Sequence, residues 1–202
     1  MIIIIDYDAG NTHSIANACK QLGFDVDITS DHNKISNAKK LIIPGQGAFR
    51  QAMNNLENKG LIEPIKKQVK KGVPFFGICL GFQILFESST EHENSIGLGL
   101  LPGNITKIQA ADLKIPHMGW NSCKIQNNAT MFNAIETNTY FYFVHSFCLY
   151  NTQEDIISST TSYSSNFISA VQKENIWGTQ FHPEKSSTAG LKLLNNFLSQ
   201  SD

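Results

Sequence analysis

The sequence predicts an α/β fold: a mostly parallel sheet flanked by helices, with added antiparallel strands. Its first half alternates short apolar runs with amphipathic stretches, the pattern of successive βαβ units. From Gly97 to about Ser169 the chain turns to Thr, Asn and Ser mixed with aromatic and β-branched residues, which suits strands and hairpins. Its 202 residues, 41% hydrophobic, suffice for one good core and are short for two independent catalytic domains, so one domain over 1–202 is expected.

Ile2–Ile5 reads as a buried strand rather than a signal peptide, because no positively charged region accompanies this very short apolar run. Asn11 or Thr12 can cap a helix whose Ile15, Cys19 and Leu22 fall at helical spacing, with Gly23 to end it. Asp25–Ile28 and Leu41–Ile43 follow as strands, the second closed by the turn Pro44-Gly45-Gln46-Gly47. One helix then carries Phe49, Met53 and Leu56, and another Leu61, Ile62, Ile65 and Val69 before Gly72. Val73–Phe76 is a compact apolar strand, and Phe82–Phe86 looks helical. Ile176–Phe181 returns as a strand, and a last helix near Thr188–Leu198 presents Leu191, Leu194, Phe197 and Leu198.

A net charge of −1 with 16% charged residues offers no basic field for nucleic acid. No stretch of about 20 apolar residues is present to span a membrane, so a cytoplasmic protein is expected. The four cysteines, Cys19, Cys79, Cys123 and Cys148, are scattered without a Cys-x-x-Cys pair or a close Cys/His cluster. Free thiols are expected, with neither metal nor cofactor.

Gly77-Ile78-Cys79-Leu80-Gly81, between an apolar strand and a helix, meets the requirements of a nucleophile elbow: small flanking residues for a tight turn, and a side chain lifted to the sheet's carboxyl end before a helix N-terminus. A small buried hydrophobe is the plainer reading of a lone cysteine, so Cys79 needs a base. His182-Pro183-Glu184 supplies one, since residues i and i+2 of an extended segment point the same way and Glu184 can orient the imidazole. His13, His32 and His92 sit in polar surroundings; His117 follows a proline; His145 reads equally as a core histidine and as a site residue. Backbone N–H groups for an oxyanion are available at Leu80 and at the turn Gly45, Gln46, Gly47. These parts suit acyl transfer through a thioester.

Gly77-Ile-Cys79-Leu-Gly81-Phe-Gln83 and Gln180-Phe-His182-Pro-Glu184-Lys-Ser186 resemble the two motifs of the class I, triad-type glutamine amidotransferases. Asp6-Tyr7 with Gly10-Asn11, Gly97-Leu-Gly99, Pro102-Gly103, Pro116-His-Met-Gly-Trp-Asn121 and Val144-His-Ser146 are similar to one branch, the glutaminase subunits of imidazole glycerol phosphate synthase, over essentially the whole chain. The resemblance implies a flavodoxin-like fold and glutamine hydrolysis by Cys79, His182 and Glu184. It implies that the ammonia passes to a HisF-type (β/α)8 cyclase subunit, which makes imidazole glycerol phosphate and AICAR in histidine biosynthesis. It also implies glutamine contacts at Gln83, Glu91 and the backbone around His145, Ser146 and Phe147. Trp120, Asn121, Tyr142 and Lys185 match positions near the subunit interface and the ammonia passage; a buried anchor and a solvated charge are the plainer readings of Trp120 and Lys185.

Three places depart from the family pattern. Asp8 stands where Gly is usual, Thr12-His13 replaces a Leu-Arg-like pair, and Gln46 sits where an apolar residue is usual. The departures bear on regulation and leave two other readings open. One is a paralogue feeding ammonia to a HisF-like partner for sugar or glycan amination, which the shared triad does not separate. The other is a non-catalytic regulatory subunit, whose signature, a lost triad member, is missing.

Overall fold

The computed structural model describes residues 1–110, 112–126 and 129–200. In chain order it forms β1 (Ile2–Ile5), α1 (Thr12–Gln21), β2 (Val26–Thr29), α2 (His32–Ser36), β3 (Lys40–Ile43), α3 (Phe49–Asn58), α4 (Ile62–Lys70), β4 (Phe75–Ile78) and α5 (Leu80–Gln83). The second half contains β5 (Ser88–Ser89), β6 (Ser95–Ile96), β7 (Asn104–Lys107), β8 (His117–Ile125), β9 (Thr139–His145), β10 (Phe147–Leu149), β11 (Ile157–Tyr163), β12 (Ser165–Lys173), β13 (Ile176–Thr179) and α6 (Ser187–Leu198).

The parallel core of the sheet runs β2-β1-β3-β4-β13, and β12, antiparallel to β13, begins the extension. The extension continues through β10, β7, β5 and β6, while β11, β8 and β9 branch from β12. A run such as Ile2–Ile5 suits this core because both faces of the sheet are covered. Ile3, Ile5, Leu41, Ile43 and Phe75 pack with α3 and α4, whereas Ile4, Ile42 and Phe76 pack on the other side with α1 and α6. The period of two along each strand therefore sorts neighbouring residues into two cores.

The expected helix caps form: Asn11 accepts from the Ser14 N–H at 3.0 Å, and Gly23 takes a positive φ of 85°. Three local differences from the sequence reading have physical causes. The short α2 was not expected; Asp31 holds it by accepting from the N–H groups of Asn33 and Lys34 at 2.7 and 3.0 Å. The fourth parallel strand lies two residues later than predicted, because the Val73 N–H caps α4 at Gln68 while pairing with β13 carries the strand through Gly77 and Ile78. Predicted helix Phe82–Phe86 starts at Leu80 and stops at Gln83, since the carbonyls of Ile84 and Leu85 accept from Leu98, Leu100 and Leu101 instead. In α6, Leu193 is fully buried and Leu191 only partly.

Candidate active site

Strand β4 ends in the turn that lifts Cys79 out of the sheet. Cys79 adopts φ 55° and ψ −105°, an unfavourable region for a side-chain-bearing residue, costing about 1–3 kcal/mol. Its N–H donates to Thr179 (2.8 Å) and its carbonyl accepts from Gln83 (3.1 Å), which fixes the turn between β13 and α5. Both flanking glycines are sterically required: a Cβ on Gly81 would lie 1.9 Å from the Ile43 carbonyl oxygen, and one on Gly77 2.6 Å from that of Gly81. Cys79 thus faces the start of α5.

The chain leaving β13 delivers His182 and Glu184 to the same place. His182 Nδ1 and Glu184 Oε1 are 2.8 Å apart, with side chains 2% and 1% exposed. Burial alone opposes the charged imidazole, but the Coulombic pull of Cys79 and contacts with Cys79 and Glu184 outweigh it and push His182 up to about 10. His182 Nε2 and Glu184 Oε2 are buried without hydrogen-bond partners. An orphaned Nε2 beside a thiol is the atom a general acid and base would use.

Cys79 and His182 line a cleft of about 470 Å³ together with Gln83, Glu91, Ser146 and Phe147. Gln46, Gly47, Leu80, His145, Tyr142 and Lys185 complete much of its wall. Glu91 anchors one side: its Oε2 accepts from the Phe49 N–H at 2.8 Å, capping α3, which has no side-chain cap of its own. Gln83 anchors the floor, donating from Nε2 to the Phe147 carbonyl at 2.9 Å and to Gln180 Oε1 at 3.0 Å.

Leu80 and Gly45 meet, though not as a pair of donors. The Leu80 N–H points at the Gly45 carbonyl at 3.4 Å, while the Pro44 carbonyl accepts from the buried Tyr7 hydroxyl at 2.5 Å. The turn is packed from behind by Gly10, where a Cβ would come within 2.9 Å of the Gly45 backbone. Asp8 holds this loop with φ 60°, which is why glycine suits the position, and its Oδ1 lies 2.9 Å from Lys59 Nζ.

His145 is 6% exposed and lines the cleft. Its Nδ1 lies 2.9 Å from the Phe147 carbonyl, an acceptor, so Nδ1 carries the proton and Nε2 accepts from His117 Nδ1 at 2.9 Å. Asn121 Nδ2 reaches His117 Nε2 at 3.2 Å and the Ser162 carbonyl at 2.9 Å. Desolvation keeps both rings neutral, His117 down at about 4 and His145 at about 3. Asn121 therefore lies on the His117 face of β8, whereas Trp120 is 52% exposed on the other face, its ring 6.2 Å from that of Tyr142. Tyr142 and Lys185 line the cleft and Trp120 stands against Tyr142, whereas Asn121 is turned to His117 and Ser162.

Two residues were not singled out in the sequence. His117 had only its neighbours to recommend it. Gln180, which is fully buried, sits two positions before His182 inside the quoted motif, and that spacing was the available signal.

The fold and the elbow define a class. Residues 3–201 match the family described as glutamine amidotransferase class-I, and the chain belongs to it. Curated relatives include the imidazole glycerol phosphate synthase subunit HisH of Moorella thermoacetica, 44% identical over 97% of this chain and 93% of that protein. HisH of Methanocaldococcus jannaschii is 48% identical, covering 98% of each. Among solved structures, one titled as a glutamine amidotransferase superposes with a TM-score of 0.77 at 18% identity, covering 98% of this chain and 97% of that one. PurLQS from Thermotoga maritima gives 0.75 at 22% identity, covering 98% and 96%. Both are likenesses of fold.

Proposed function

We propose that the chain is the glutaminase subunit of an imidazole glycerol phosphate synthase, one domain hydrolysing glutamine to glutamate and ammonia. The juxtaposition of Cys79 and His182 in one cleft, with Glu184 2.8 Å from the His182 ring, carries this reading. Its similarity to the HisH subunits, at 40–48% identity over nearly the full length, favours the histidine branch over the sugar-amination branch.

In this mechanism the Cys79 thiolate attacks the carboxamide carbon of glutamine. Charged His182 gives its Nε2 proton to the departing nitrogen, ammonia leaves, and a glutamyl thioester remains. Neutral Nε2 then takes a proton from water as it attacks the thioester, and glutamate departs with the thiolate restored. Glu184 keeps Nδ1 protonated so that Nε2 faces the reaction. Gln83, Glu91 and the backbone at His145, Ser146 and Phe147 bind glutamine; Gly45, Gln46, Gly47 and Leu80 supply the oxyanion donors.

The acceptor chemistry belongs to a HisF-type (β/α)8 cyclase subunit. The exposed side chains of Met118, Trp120 and Tyr140 on paired strands β8 and β9 form the apolar face it would cover. Co-purification with that barrel, followed by glutamate release with and without its ribonucleotide acceptor, tests the assignment. Acceptor-stimulated hydrolysis that Cys79→Ala abolishes, with ammonia-fed turnover of the partner preserved, is the expected result. Hydrolysis retained in the variant overturns it.

A further inference from the structure

Gln180 stands at the end of β13 with no exposed surface. Its backbone N–H donates to the Ser169 carbonyl at 2.9 Å, and its side chain turns toward the elbow. There its Oε1 lies 3.0 Å from Gln83 Nε2, and its Nε2 lies 3.8 Å from Cys79 Sγ, within hydrogen-bond reach of sulfur.

The direction of this amide follows from its neighbours. Gln83 Nε2 also meets the Phe147 carbonyl at 2.9 Å, and a carbonyl only accepts. That end of Gln83 is therefore nitrogen, Gln180 turns its oxygen to it, and its N–H is left facing sulfur. The Val144 carbonyl stands 3.8 Å from the same sulfur. Sγ thus lies between an acceptor suited to the thiol and a donor suited to the thiolate.

We infer that Gln180 is a further residue of the catalytic centre, its side-chain N–H donating to the Cys79 thiolate and Gln83 fixing the direction of that donor. The inference rests on Cys79 being the nucleophile. An amide donor complements His182 because it holds negative charge on sulfur without exchanging a proton of its own. It also stays in place when His182 has given its proton to the leaving nitrogen. When hydrolysis of the thioester restores the thiolate, Gln180 again presents a donor to it.

The test reads sulfur directly. Cys79 alkylation by iodoacetamide is followed against pH in the full chain, with Gln180→Met and with the isosteric Gln180→Glu. The titratable groups around the sulfur are His182 and Tyr7, with Glu91, His145 and Lys185 across the cleft, and all are unchanged in the variants. In Gln180→Met the pH of half-limiting alkylation moves up by about one unit, the tenfold effect of a hydrogen bond to a charged group. Gln180→Glu moves it further in the same direction. In complex with the barrel, Gln180→Met lowers kcat for glutamine about tenfold and leaves KM within about twofold.

A half-point that stays at the wild-type pH overturns the inference, including when the rate drops equally at every pH, as simple disruption would cause. If Gln180→Met fails to fold, Gln180→Glu, which keeps volume and shape, carries the test. Alkylation requires no glutamine, so a wild-type complex lacking glutaminase activity would reject the proposed function separately from this result.

Discussion

The Leu80 N–H, the first donor after the candidate nucleophile, is directed at the carbonyl of Gly45 at 3.4 Å. On the proposed mechanism that carbonyl stands where the oxyanion donors are needed, so we propose that the Gly45–Gln46 peptide turns over before both amides face the substrate. Gly47, at φ 108° with open space around its Cβ position, gives the turn that freedom. Gly47→Ala is expected to fold with a loss of about 1–3 kcal/mol from the strained φ. It should also lower kcat by about tenfold or more by restricting the turnover. Thermal unfolding together with glutamine kinetics checks this; wild-type kcat would show that the turn need not move.

Tyr7 tests the same turn from behind. Its hydroxyl donates to the Pro44 carbonyl at 2.5 Å in a fully buried position. Tyr7→Phe keeps the ring and strands that carbonyl, so urea unfolding should show a loss of about 1–3 kcal/mol. A variant as stable as wild type would mean that the carbonyl finds another partner.

Cys79 supports the charged form of His182. With its folded value raised to about 10 against an ordinary value near 6.5, native His182 holds a proton that the unfolded chain has lost in that window. The resulting stabilisation is complete below about pH 6.5 and disappears as pH rises through about 10. Burial opposes the charge and Cys79 is the leading cause raising it, so Cys79→Ala should move the His182 titration downward. Following the ring resonances by NMR against pH in both proteins decides the matter. An unchanged midpoint would assign the shift to Glu184 instead.

Glu184 contacts that ring and does not line the cleft. Glu184→Gln preserves shape but offers Nδ1 an amide whose nitrogen end cannot accept, and it withdraws the charge that supports the imidazolium. By analogy with triads in which the orienting acid is replaced by its amide, kcat should drop by about 10²–10⁴-fold. Glutamine KM should change little, because Glu184 lies behind His182 and outside the cleft wall.

Much of this site was legible because its geometry is written locally. Gly77, Cys79 and Gly81 are required by one turn, and His182 with Glu184 by the i, i+2 rule, so spacing alone brought out both halves. What was not legible depends on pairing between distant strands. His117 meets His145 because β8 and β9 pair antiparallel in that register, and Gln180 meets Gln83 because β13 adjoins β4. Asn121 was grouped with Trp120 as an interface residue, yet adjacent strand residues face opposite ways, and only the register showed which of them points inward. The early stop of α5 has the same origin, since residues 98–101 take from afar the carbonyls of the residues that follow it.

The paired histidines carry the last prediction. His117 is stacked between Phe143 and Tyr163, with ring centroids 4.9 and 4.0 Å away, and both it and His145 are held neutral by burial. With folded values of about 4 and 3 against an ordinary value near 6.5, each ring in the unfolded chain takes up a proton that the native ring refuses as pH falls. Stability contributed by their neutrality is complete above about pH 6.5 and falls by about 1.4 kcal/mol per pH unit per ring below it. His117→Phe keeps the stacking and removes one titration while leaving His145 Nε2 without its donor. The variant should therefore be less stable than wild type near neutrality, by about 1–3 kcal/mol. It should also lose stability more slowly between about pH 6 and pH 4.5, because one titrating ring is gone. Urea unfolding at the two pH values measures both effects, and a wild-type slope in the variant would show that His117 takes no part in the acid sensitivity.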